Sequence, residues 1–214
     1  MSDNSLTPTD EILRRAKGRH FLLEPSLWPA GGFPKIEFAN ETRLWRPGWY
    51  FIEPPTGAPD QYPERPHLVH EPKGRKANGL PRDFEMFAGL WIVSKALKQV
   101  FQAVDPEAFA FAACDFTLSD GSAGPELHLC GVLRELDALN EAASRLKIKT
   151  GDYVNGKYYS RAGGAALVFR PEVVGRAHVF RTPYSDAVFC DREMRDALVR
   201  AGLKGIGLRD ATDC

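Results

Sequence analysis

Two stretches of the chain share one pattern of apolar and polar positions. In Ala187 to Leu208, the run Ala187-Val188-Phe189-Cys190 has the length of a buried strand. Asp191 follows, with a carboxylate suited to the free N–H groups that open a helix. Met194, Ala197, Leu198 and Ala201 then recur at helical spacing among charged residues. Gly202 stands where a helix end favours a left-handed residue, and Gly205-Ile206-Gly207-Leu208 starts another strand. In Leu90 to Ala112, Trp91-Ile92-Val93 is the strand, Ser94 the cap, and Leu97, Val100, Phe101 and Val104 the apolar stripe. Asp105-Pro106 ends that helix, and Phe109-Ala110-Phe111 is the next strand. At an offset of 97 positions the two stripes coincide. Two readings fit: an internal repeat, or two independent capped helices between strands, since side-chain identity is poor.

Elsewhere the pattern is weaker. Thr9 or Asp10 can cap a helix over Glu11 to Lys17, which Gly18 would end. Eleven of the 16 prolines precede Pro81, with Trp28, Trp45, Trp49, Tyr50 and Tyr62 among them. Proline has no donor for a helix interior or a central strand. Residues 21–82 are therefore predicted to form long ordered loops with short strands at Lys35–Phe38, Arg43–Trp45 and Trp49–Ile52. Lys73 to Arg82 carries four basic residues and no acid; it reads as a solvated loop, with a binding patch as the alternative. Glu126 to Leu133 is predicted as a strand, Leu136 to Leu146 as a short helix or turn, and Gly151–Gly164 as an exposed loop. Ala165–Arg170 and His178–Arg181 are predicted strands. Strands without sustained strand-helix alternation give an α+β fold, with a mixed or antiparallel sheet of short strands and two or three packed helices. The domain reading is a flexible lead-in at 1–20, a Pro/Trp-rich segment at 21–82 packed on the main domain, and an α+β domain at 83–214.

Composition narrows the function classes. Lys+Arg and Asp+Glu are both 28, a balance that argues against non-specific nucleic-acid binding. The N-terminus has no apolar run of signal-peptide length, and no stretch approaches the roughly 20 apolar residues of a membrane span. A cytoplasmic protein with no membrane attachment is expected. Cys114, Cys130, Cys190 and Cys214 are far apart and form no CxxC pair, so buried free thiols are expected.

Candidate chemistry is sparse. His67 and His70 are the one close histidine pair, but Pro66 and Pro72 break any helical register and metal sites need three or four converging ligands. No GxSxG is present. Cys190 precedes a helix N-terminus, where a thiolate is favoured, yet its apolar neighbours make it a buried structural cysteine. Gly202-x-x-Gly205-x-Gly207 follows a helix instead of opening one, the wrong context for a dinucleotide site. Arg181, ending an apolar strand, reads as half of an internal ion pair, with a ligand contact as the alternative. No catalytic residue, metal ligand or cofactor is assigned, and the chain reads as a binding protein rather than an enzyme.

Four passages carry a family likeness: Leu90-Trp91-Ile92-Val93-Ser94-x-x-Leu97-Lys98; Leu129-Cys130-Gly131-Val132-Leu133-x-x-Leu136-Asp137-Ala138-Leu139-Asn140-x-x-x-Ser144; His178-Val179-Phe180-Arg181; and Val188-Phe189-Cys190-Asp191-x-x-Met194-x-x-Ala197-Leu198-x-x-Ala201-Gly202-x-x-Gly205. In this order they resemble bacterial immunity proteins of polymorphic toxin systems, in the family numbered eleven among the immunity families. The chain departs from the family at two positions: Asn140 replaces an acid and Asp191 replaces a Ser or Thr cap. The resemblance implies a non-enzymatic protein that binds and neutralises a cognate toxin encoded nearby, with no cofactor. An enzyme with a dispersed site and an accessory or regulatory binding module are the alternatives. The family supplies no site motif. Interfaces enrich Trp, Tyr and Arg in exposed irregular segments, which selects Trp49, Tyr62, Tyr153, Tyr158, Tyr159 and Arg161 as candidate toxin contacts.

Overall fold

The structure is a computed structural model, and it describes residues 7–28, 34–46, 48–71 and 79–214. It is α+β, with twelve strands and four α-helices among those residues. The chain divides into two compact units that interleave along the sequence. One comprises the chain up to Glu24 with Arg134–Asp196 and Leu208–Cys214; the other comprises Pro25–Leu133 and Ala197–Gly207.

The second unit is built on a six-stranded sheet. Its strands are β2 (Ile36–Phe38), β3 (His67–His70), β4 (Phe84–Phe87), β5 (Leu90–Ser94), β6 (Phe109–Thr117) and β7 (Leu127–Val132), in the order β2-β3-β6-β7-β5-β4. All neighbours are antiparallel except β3 and β6. Alternate side chains serve opposite faces, as a pleat of period two requires. On one face, helix α2 (Lys95–Val104) buries Leu97 and Phe101. Phe101 stacks on Phe109 at 4.3 Å, and Phe84 meets Trp91 edge-on at 4.7 Å. On the other face, Leu90, Ile92, Cys114, Phe116, Leu127 and Leu129 pack with Leu44 and Ile52 from the proline-rich segment. That segment therefore supplies a layer of core. Ser94 caps α2, accepting from the Leu97 amide at 3.2 Å.

The β4–β5 hairpin turns on two residues, Ala88 and Gly89, between the paired Phe87 and Leu90. Both have positive φ, 50° and 78°. Such turns favour Asn-Gly, and alanine is strained there by its Cβ. Ala88→Asn is expected to raise stability by about 1 kcal/mol; a denaturant midpoint that stays put or falls would contradict this.

The first unit carries a four-stranded sheet in the order β10-β11-β1-β12, formed by β1 (His20–Pro25), β10 (Val179–Arg181), β11 (Val188–Asp191) and β12 (Ile206–Asp210). Leu22, Phe169, Phe180 and Phe189 are at the centre of its core. Helix α1 (Pro8–Ala16) precedes the sheet, α3 (Pro171–Val174) is a single turn, and α4 (Arg192–Ala201), whose residues from Ala197 on are counted in the second unit, follows β11. Asp191 caps α4, accepting from the Met194 amide at 3.0 Å, which matches the Ser94 cap in geometry. The α1 cap is Thr7, not Thr9 or Asp10. Pro8 fits the first helical position, and the Thr7 amide donates back to the Asp10 carboxylate at 3.2 Å.

Several local expectations fail or are met in only one of their alternatives. Arg43 falls in a 3-10 turn, Glu41–Arg43, and no strand forms over 49–52, where neighbouring prolines disrupt ladder pairing. Of the two alternatives for Leu136 to Leu146, helix or turn, the turn is found. Asn140 accepts from the Ala143 amide at 3.2 Å, closing a turn, and the backbone bonds across to Val168 and Ala166. Residues 165–170 make isolated bridges only. The polar stretch 151–164 contains a strand, β9 (Lys157–Ser160), paired with β8 (Lys147–Thr150). Most of the basic run at 73–82 lies outside the described residues.

All four cysteines are free and buried. Burial pushes their thiols up, that of Cys114 to about 12, so none is poised as a thiolate. Arg181 pairs with Glu135 at 2.9 Å.

Candidate functional site

The six candidate contact residues fall into two groups, one on each unit. On the second unit, Trp49 is 45% exposed and packs edge-on against Phe51, with ring centroids 5.0 Å apart. Tyr50 beside it is largely exposed and touches Trp45 edge-on at 5.8 Å. Tyr62 is half-buried. Its hydroxyl donates to the Glu53 carbonyl at 2.6 Å, and burial pushes its phenol well above the ordinary range. Leu44, Trp45, Pro59 and Tyr62 line an open groove of about 470 Å³, and Pro59 and Tyr62 also border a second of about 400 Å³. The combination is an aromatic shelf beside two shallow depressions.

Gly131 explains how this irregular segment keeps its place. In β7 a Cβ at position 131 would stand 3.0 Å from the Pro55 carbonyl carbon and closer still to its oxygen. Only glycine lets the proline loop lie directly on the sheet. Gly131→Ala is expected to cost about 1–3 kcal/mol through overpacking. The shelf's tryptophan fluorescence should shift with it, and wild-type stability with an unchanged spectrum would contradict the close approach.

On the first unit the β8–β9 hairpin brings Tyr153, Tyr158 and Tyr159 together. Tyr153 and Tyr158 are stacked, with centroids 5.6 Å apart. Tyr159 departs from its expected exposure. It is only 4% exposed, and belongs to the core with Phe169 and Phe189. A β-strand sends adjacent residues to opposite faces, so one of Tyr158 and Tyr159 had to turn inward. The Tyr159 hydroxyl donates to Glu141 at 2.5 Å, and Lys157 pairs with the same carboxylate. The Lys157 ammonium bond, then the Tyr159 hydroxyl, hold Glu141 below the usual carboxylate range. The same pairing raises Lys157, and burial raises Tyr159, so all three keep their ordinary charge states near neutral pH. Lys157 also lies over the Tyr184 ring at 4.1 Å. Arg161 is 3.9 Å from Glu24 and half-buried.

The histidine pair does not converge. His67 and His70 are three apart on strand β3, so the pleat sends them to opposite faces, and His67 Nε2 instead meets the Thr117 hydroxyl at 2.8 Å. Among the described residues no group of three or more His, Cys, Asp or Glu side chains is placed to hold a metal ion. No described helix is long and apolar enough to cross a membrane.

Sequence reasoning missed Ile148 and Val154 on the hairpin and Tyr50 and Phe51 on the shelf. All four are exposed. Their signal was an apolar residue inside a polar or proline-rich run.

A comparison with protein-family models matches residues 19–213 to "Immunity protein family (Imm11)". No curated protein matches the chain.

Proposed function

The chain belongs to the Immunity protein family (Imm11), and from that premise we propose that it binds a cognate bacterial toxin and neutralises it in the cytosol of the producing cell, without catalysing a reaction. The observation that carries this reading is the extent of the family match, residues 19–213, which takes in both compact units. Two exposed aromatic surfaces on ordered frames support it, since tyrosine and tryptophan supply contact area at low entropic cost. Trp49, Tyr153, Tyr158 and Arg161 are the proposed direct contacts. Tyr62 forms the wall of the shelf's grooves, and Tyr159 acts from beneath by fixing the strand that presents Tyr158.

The partner is the toxin domain encoded beside this gene. Cells expressing that domain should survive when the chain is co-expressed. Death despite abundant folded chain would contradict the proposal.

A further inference from the structure

We propose that the outer face of the β8–β9 hairpin is a toxin-docking element, and that its counterpart is an acidic protein surface bordering an apolar recess; this rests on the immunity reading above. The register defines the face. Lys149 pairs with Tyr158 and Lys147 with Ser160, so these four project to one side; the lysines are exposed, Tyr158 is half-buried with Tyr153 stacked onto it, and Ser160 at the base is buried. Tyr159, Ile148 and Lys157 project to the other, where Tyr159 joins the core while Ile148, on the outer strand, stays 38% exposed.

Charge separates this face from the rest of the molecule. The whole chain is neutral, yet residues 145–161 hold five basic residues and one acid. Arg145, Lys157 and Arg161 are matched by Asp10, Glu141 and Glu24. Lys147 and Lys149 are exposed, and no acid pairs with them among the described residues. Lysines on an edge strand also discourage unwanted strand pairing. That role requires neither a stacked tyrosine pair nor Val154, which is 102% exposed at the tip.

The hairpin is also pre-organised. Lys157, opposite Thr150 at the loop end of the ladder, is held by Glu141 and lies over the Tyr184 ring, and Asn155 Nδ2 in the turn donates to the Pro183 carbonyl at 2.6 Å. Tyr159 donates its backbone N–H to Tyr184 at 2.8 Å, tying the inner strand to the unit. β8 is left as the outer edge. Holding the aromatic pair in place before encounter removes much of the ordering cost of binding. The unpaired lysines would speed association with an acidic patch and make it depend on salt.

The test titrates the full chain with the adjacent gene's toxin domain by calorimetry at low and high salt. Lys147→Glu/Lys149→Glu and Tyr153→Ala/Tyr158→Ala are compared with wild type, and melting temperatures confirm folding. Each pair should weaken binding about 30-fold or more, the scale of a lost hot spot. Lys147→Gln/Lys149→Gln, which removes charge without reversing it, should flatten the salt dependence. Tight wild-type binding with both the charge-reversed and tyrosine variants unaffected would overturn the docking assignment and leave the immunity reading standing. No binding by wild type would overturn both.

Discussion

Replacing Glu85 with alanine is expected to destabilise the protein by about 3–5 kcal/mol, the usual consequence of stranding a buried charge. Glu85 is 2% exposed and sits in β4 among apolar neighbours. Arg82 engages its carboxylate through Nε at 2.8 Å and a terminal nitrogen at 3.0 Å. Trp28 adds an indole N–H bond at 2.9 Å, and the Arg82 guanidinium lies over the Trp28 ring at 4.7 Å. The remaining Arg82 donors reach Ser26 and Leu27 carbonyls. Without the carboxylate, a nearly buried guanidinium and an indole donor lose their acceptor together. Glu85→Gln should cost less than alanine, because it keeps shape and one acceptor. Chemical denaturation decides the matter: a midpoint for Glu85→Ala within error of wild type would contradict the assigned role.

Leu97→Ala and Leu198→Ala are each expected to cost about 2–5 kcal/mol, combining lost burial with a residual cavity. Leu97 is 0% exposed on α2, and Leu198 is also buried on α4. Both occupy the apolar stripes that define the two strand-helix-strand stretches. Unchanged denaturant midpoints in both variants would contradict that organisation.

Those two stretches were legible because a capped amphipathic helix between strands leaves local marks. Ser94 and Asp191 both accept from the amide three residues on, as their side chains and positions suggested. The cysteines were legible for a similar reason: Cys114, Cys130 and Cys190 lie in runs apolar enough to be strands. What escaped was set by partners distant in sequence. Lys157-Tyr158-Tyr159-Ser160 has no apolar alternation, and Tyr159 enters the core because Glu141 accepts its hydroxyl. Residues 136–146 read locally as a short helix or a turn, and the choice was made by distant partners, since backbone bonds go to Ala166 and Val168. The Arg82–Glu85 pair was invisible, since nothing in Phe84-Glu85-Met86-Phe87 marks the glutamate as inward-facing. Of the candidate contacts, the exposure of Trp49 and Tyr153 was readable from composition. The inward turn of Tyr159 depended on strand register, and register was fixed by the β8 pairing.

The proposed function requires this chain to inhibit one neighbouring toxin tightly. Calorimetry of the purified chain with the toxin domain encoded beside it tests that requirement most directly. An inhibitor that protects against a few toxin molecules needs nanomolar affinity or better, about −12 kcal/mol, within reach of an interface of about 1,600 Å² carrying a few buried aromatic anchors. A dissociation constant in that range is the expected result; no detectable complex at micromolar concentrations of both folded proteins would contradict it.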